Sequence, residues 1–326
     1  MEARRRGYRE HGAAPPERGH LSNLTQPMSQ TATEHSSAPA LRHIPRRYVA
    51  LVLIIVAICL LGALVIVRDN SSPGGTSTTE TLSPAPTSLL ATIAGVPASV
   101  FDTIGVGSPT VPVTALHATG GAAPVWQADA SGGTTRPVVF FYGAEFAPYA
   151  AAERWPLVLA LSRFGTFGQL GLAQSSPTTA FAGLSTFTFW QSSYHSHHLV
   201  LESVERYGTL NPTGARYLRL ESPKGREATA VAAYGSGVNS FPLVDVANRY
   251  VLNGSAFTPG ALVGLSQDQI AGYLTSPTSP LTQAVVSAAN EISAAICAED
   301  GQQPAAVCGS KGVEAADDAL GIAPPT

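Results

Sequence analysis

Between Tyr48 and Val67 the chain runs for 20 residues without a charged side chain, bracketed by Arg46-Arg47 and Arg68-Asp69. A helix formed by such a run is apolar on every side, so protein or lipid must cover it all round. At about 1.5 Å per residue it spans roughly 30 Å, the thickness of a bilayer's hydrocarbon core. A buried core helix is rarely apolar all round for that length. A cleaved signal peptide has a shorter apolar region, and a leader of 47 residues ahead of it is long. The run therefore predicts an uncleaved transmembrane helix over 48–67, with the lipid bilayer as its partner. Arg4, Arg5, Arg6, Arg9, Arg18, Arg42, Arg46 and Arg47 precede it, while only Arg68 closely follows. The positive-inside rule then places the N-terminus in the cytoplasm and the C-terminal bulk outside the cell membrane.

This topology divides the remainder. Residues 1–47 are rich in Arg, Ser, Pro, Gln and His without apolar periodicity and read as a disordered cytoplasmic tail. Residues 68–88 are rich in Ser, Thr, Pro and Gly and read as a flexible linker. An extracytoplasmic domain is expected over 89–313, followed by a frayed C-terminal tail over 314–326. Charged residues are 13% of the chain and the net charge is −3, which gives no reason to expect nucleic acid as a partner. Of three cysteines, Cys59 falls in the apolar run. Cys297 and Cys308 fall in the exported part, where disulfides persist. One bridge between them is expected. It would be either a structural staple or a second redox pair; no C-x-x-C spacing and no basic residue within the loop marks a lowered thiol pKa.

Within 89–313 the pattern is mixed α/β. Leu89 to Ile104 is a short apolar-periodic segment and reads as helical around Val100. Val138 to Tyr142 is a continuous β-branched and aromatic run, as in a strand buried on both faces. Ala147 to Phe164 reads as a helix stopped by Gly165 and kinked by Pro156. Strands are expected over Thr166 to Ala173, Thr186 to Trp190, Val200 to Val204 and Tyr217 to Leu220. Phe241 to Ala247 and Arg249 to Leu252 read as a hairpin. Leu265 to Leu274 and Leu281 to Cys297 read as helices, with Leu281, Val285, Ala288, Ile292 and Ile296 on one face of the second.

The junction Gly143-Ala144-Glu145-Phe146-Ala147-Pro148-Tyr149-Ala150 joins strand to helix. Pro148 sits where proline is tolerated, in the first helical turn. Together with Arg136 to Phe146, Glu153-Arg154-Trp155, Ser162 to Phe167, Phe241 to Asn248 and the Cys297 to Cys308 segment, it resembles a thioredoxin-like family. The narrower resemblance is to a membrane-anchored archaeal and actinobacterial branch, the domain of unknown function 929 (DUF929). The resemblance implies a thioredoxin-like domain with an insertion between Ala147 and Pro242. It implies that Ala147 and Ala150 occupy the two cysteine positions of a C-P-Y-C motif, here A-P-Y-A, and that Phe241-Pro242 is the cis-proline loop beside it. Thiol–disulfide exchange needs a thiolate, which alanine cannot supply, so the fold and groove of the family carry over but its activity does not.

Other clusters carry weaker signals. His195, His197 and His198 could ligate a metal. Consecutive strand residues face opposite ways, however, so at most two could share one ion, and a polar strand entry is the simpler reading. Without thiols to serve, Glu145, Glu153 and Arg154 are expected to form a surface ion pair. No G-x-S-x-G frames a serine nucleophile. The expectation is a protein without catalytic residues, metal or cofactor at the degenerate motif positions Ala147, Pro148, Tyr149 and Ala150. Its groove at Tyr149, Phe241 and Pro242 would bind an extended polypeptide or envelope protein partner. The alternatives are a thiol–disulfide oxidoreductase using Cys297 and Cys308, or a structural envelope protein.

Overall fold

A computed structural model describes residues 81–107, 111–121, 123–129, 134–209, 216–237 and 239–323. The tail expected over 1–47, the transmembrane helix expected over 48–67 and the expected linker up to residue 80 lie outside these described residues.

The chain's apolar β-branched run becomes the central strand β4 (Thr135–Gly143). Side chains alternate across a strand, and here Val139 and Phe141 join one core while Val138, Phe140 and Tyr142 join another. The strand is buried on both faces, as its composition requires. Helix α3 (Pro148–Leu161) leaves it and returns to β7 (Val200–Glu205), which pairs in parallel with β4. On the other side β8 (Leu243–Val246) runs antiparallel to β4, and β9 (Tyr250–Asn253) antiparallel to β8. Ala247 and Asn248 both take positive φ, and Arg249 N–H donates to the Val246 carbonyl (2.8 Å) to close the hairpin turn. Short strands complete the sheet: β2 (His117–Ala118) on β9, and β3 (Gln127–Asp129) on the first residues of β4.

Between α3 and β7 the chain makes a long hairpin, β5 (Gly165–Gln174) and β6 (Ser185–Ser196). It forms a second sheet with β1 (Ser83–Pro84), which pairs with β5. Helices α1 (Thr87–Ala94), α2 (Ala98–Ile104), α3 and α6 (Pro280–Glu299) fill the larger core on one face of the main sheet. Helix α4 (Gly225–Tyr234) covers Trp126, Val138, Phe140 and Val251 on the other. Shorter helices, α5 (Gln267–Tyr273) and α7 (Ala305–Cys308), flank α6, and α8 (Lys311–Leu320) packs on α2 and α6.

Several expectations change. The frayed tail over 314–326 is helical up to Leu320, because Val313 and Ala316 of α8 are buried against the core. The folded part begins before Leu89, with β1 and the first two residues of α1 lying inside the predicted linker, where edge pairing with β5 orders Ser83-Pro84. The helix expected around Val100 is α2, and α1 precedes it across Gly95–Pro97 with a 53° bend between the two. The predicted strand Tyr217 to Leu220 makes only an isolated bridge, Tyr207 to Arg219. Helix α4, which has no long apolar stripe, was not anticipated.

Pro156 lies inside α3, which continues past it to Leu161. Proline cannot donate to the Ala152 carbonyl one turn earlier; the Thr186 hydroxyl donates to the neighbouring Ala151 carbonyl (2.7 Å). Among the described residues, α6 alone is long and apolar enough to cross a membrane by length and composition. It is instead the core helix, with 89% of that stretch buried. Its predicted face, from Leu281 to Ile296, is buried, and so is the rest of its circumference. Cys297 on α6 is bonded to Cys308 on α7, their Cα atoms 5.6 Å apart. Closing so short a loop restricts the unfolded chain by about 3 kcal/mol.

Candidate functional site

The turn from β4 into α3 carries the A-P-Y-A motif, Ala147 to Ala150. Ala147 is the helix N-cap residue with extended backbone (φ −82°, ψ 122°), and Pro148 opens the helix. Ala147 and Ala150 are buried, at 7% and 0% exposure, while Tyr149 projects outward at 49%. A first-turn position beside unpaired backbone N–H groups favours an anion, but a methyl group cannot ionise there. The turn holds no nucleophile at either position.

The Phe241–Pro242 peptide is cis, as the resemblance implied. A second cis bond, Gln303–Pro304, lies away from the motif in the loop closed by the disulfide. Aromatic rings bring the first cis loop and the motif together. Phe146, immediately before Ala147, stands edge-on to Phe241 with ring centroids 6.0 Å apart. Phe146 also stacks flat on Tyr217 (3.9 Å, 2° between planes), and Phe241 lies 6.3 Å from Tyr207. On the other flank Tyr149 meets the edge of Phe181 at 6.3 Å. The three groove residues expected from the sequence, Tyr149, Phe241 and Pro242, thus sit at one end of the sheet. Tyr207, Tyr217 and Phe181, which surround them, were missed. The spacing of Tyr207 and Tyr217 in a loop after β7 offered no periodic signal, and only the fold brings them to Phe146.

Glu153 and Arg154 do not form a surface ion pair. Both are fully buried, because the sheet, the β5–β6 hairpin and α6 leave α3 no solvent face. Arg154 instead makes a two-point contact with Glu205 at the end of β7, Nε to Oε1 at 2.9 Å and Nη2 to Oε2 at 2.7 Å. The Phe189 N–H also donates to Glu205 Oε1 (3.1 Å), and the Phe141 ring lies 5.2 Å from the guanidinium carbon. This pair ties α3 to β6 and β7.

Glu153 Oε2 accepts from the Ala256 N–H (2.7 Å), and its other oxygen is buried without a hydrogen-bond partner. Burial pushes its pKa up to about 8; the Ala256 N–H opposes this and the nearby Glu291 carboxylate adds to it. Burial likewise raises Glu291 to about 7, against the Leu116 N–H that donates to it, and Asp245 to about 7, against the Asn248 N–H. These are carboxyls held by single backbone donors in apolar surroundings, and none faces a nucleophile. Glu145 is buried beside the motif.

His195, His197 and His198 line a cleft of about 630 Å³ at the far end of the β5–β6 hairpin. His198 Nδ1 lies 2.8 Å from Asp300 Oδ2, so this histidine faces a carboxylate rather than its neighbours in sequence. Among the described residues no three His, Cys, Asp or Glu side chains converge to hold a metal. Cys297 and Cys308 are bonded to each other and both buried.

No curated protein and no solved structure matches the chain. Residues 129–222, which run from the end of β3 through the motif, α3, the β5–β6 hairpin and β7, match the family model described as "Domain of unknown function (DUF929)". This stretch is therefore similar to the family that the motifs resemble.

Proposed function

We propose that this protein is a non-catalytic polypeptide-binding module on a thioredoxin-like plan, held outside the cell membrane by the helix over 48–67. One observation carries the reading: the exposed Tyr149 and the cis Phe241–Pro242 loop flank a helix N-terminus whose two reactive positions are alanine. The thioredoxin-like plan is supported by the β4–α3–β7 unit, the β8–β9 hairpin that follows it and the terminal helix α6. The β5–β6 hairpin then stands as the inserted segment between the two halves. Groove walls of aromatic side chains suit an extended chain, since such rings give large contact area at small entropic cost.

The oxidoreductase alternative has less support, because the disulfide that would have to react is buried. The test is binding of a panel of extended peptides to the full chain in detergent. Tyr149→Ala should weaken binding about tenfold, the loss typical of an aromatic anchor. Peptides that bind Tyr149→Ala and Pro242→Ala as tightly as the unmodified protein would place any binding elsewhere. A structural role with no ligand would show as no binding at all.

A further inference from the structure

A cleft of about 530 Å³ opens beside the degenerate motif, walled by Phe146, Tyr207, Tyr217 and Phe241. The rest of its described lining carries three guanidinium groups, those of Arg206, Arg216 and Arg219, and no carboxylate. Arginine stays charged at every accessible pH, so this charge is permanent. Of the acids nearest in sequence, Glu205 gives both its oxygens to Arg154, and Glu221 accepts from the Glu205 N–H (2.8 Å).

Arg206 is held in place while part of it remains unused. Its Nη1 donates to the Ser222 hydroxyl (3.2 Å), and its guanidinium carbon lies 5.6 Å from the Tyr207 ring centroid. Its Nε is shielded from solvent and has no acceptor. A buried donor left unpaired is unfavourable, and a charged acceptor brought to it forms one of the stronger hydrogen bonds available to a protein. Arg219 is exposed at the rim. Fixed positive charge, an unsatisfied guanidinium donor and aromatic walls all favour a ligand that is anionic and has apolar surface between its charges.

We infer that this cleft binds an acidic segment of an extended polypeptide, with carboxylates at Arg206 and Arg219 and intervening side chains against Phe146 and Phe241. The inference rests on the polypeptide-binding reading above and specifies the class of partner.

The experiment is calorimetric titration of the full chain in detergent. The probes are a short peptide alternating Glu and Val, its counterparts with Gln or Lys in place of Glu, and inorganic phosphate. The Glu peptide should bind, more weakly as salt is added, and the Lys peptide should not. Arg219→Gln, at an exposed position, should weaken the Glu peptide about tenfold or more. Arg206→Lys keeps the charge but loses the fork, and should weaken it less than Arg206→Gln; thermal melting of each variant confirms that the fold is retained. Equal binding of the Gln and Glu peptides, unaffected by the arginine variants, would overturn the acidic preference and leave the groove intact. Phosphate binding as tightly as the Glu peptide would mark a small-anion site and overturn the polypeptide ligand. Binding of no peptide would overturn this inference together with the reading beneath it.

Discussion

Glu153 makes a quantitative test of how α3 is packed. Its carboxyl is fully buried, with one oxygen accepting from Ala256 N–H and the other without a partner. Burial raises its pKa from 4.5 to about 8 in the folded protein. A raised carboxyl pKa means that the native state holds the proton more tightly than the unfolded chain. The stabilising contribution is therefore complete below about pH 4.5, declines as pH rises, and is exhausted above about pH 8. Linkage with these two values gives a loss of about 3–4 kcal/mol between pH 5 and pH 8.

Glu153→Gln keeps an oxygen for the Ala256 N–H and cannot ionise. Asp245 and Glu291, also raised by burial, give both proteins a further decline over the same range. Only the difference between the two stability curves therefore reports residue 153, together with the relief of its repulsion with Glu291. Urea unfolding at pH 5, 6, 7 and 8 should show the variant gaining on the parent by about 3 kcal/mol across the series. Parallel curves would refute the reasoning, since they would mean that Glu153 is solvated or paired with a cation.

Two further perturbations probe the fold and the motif. Glu205→Gln leaves the Arg154 guanidinium buried without its counter-charge and should cost about 3–5 kcal/mol in urea unfolding. The double variant with Arg154→Met should recover much of that loss, and a single-variant cost under about 1 kcal/mol would deny that the pair is desolvated. Ala147→Cys with Ala150→Cys should give a dithiol that exchanges with a small disulfide, its first thiol pKa falling below the usual value of about 8.5 at the helix N-terminus. A pair that stays inert to the reagent would mean that the turn does not have the geometry of a thiol site.

The central strand, the helix after it, the β8–β9 hairpin and the long C-terminal helix were legible because each follows a local rule. Val138 to Tyr142 is a β-branched and aromatic run, Gly165 stops a helix-forming stretch, and Leu281 to Cys297 has helical spacing. Ala147 and Ala150 were legible as positions without a thiol, since side-chain identity needs no coordinates to detect. Local rules gave less help at the ends of the domain. Ser83-Pro84 reads as linker until β5 is there to pair with it, and Glu314 to Leu320 reads as a fraying tail until α2 and α6 cover one side.

The identities of the side chains determined which chemistry is absent, which segments are apolar and where strand must give way to helix. Tertiary structure alone decided that Glu153 and Arg154 are buried, that Arg154 finds Glu205 51 residues away, and that Tyr207, Tyr217 and three arginines gather beside Phe146. The physical reason is that burial and ionic pairing depend on what packs against a residue. A helix of α3's composition could have kept a solvent face. The β5–β6 hairpin and α6 take that face away, and with it the water that would have kept Glu153 ionised.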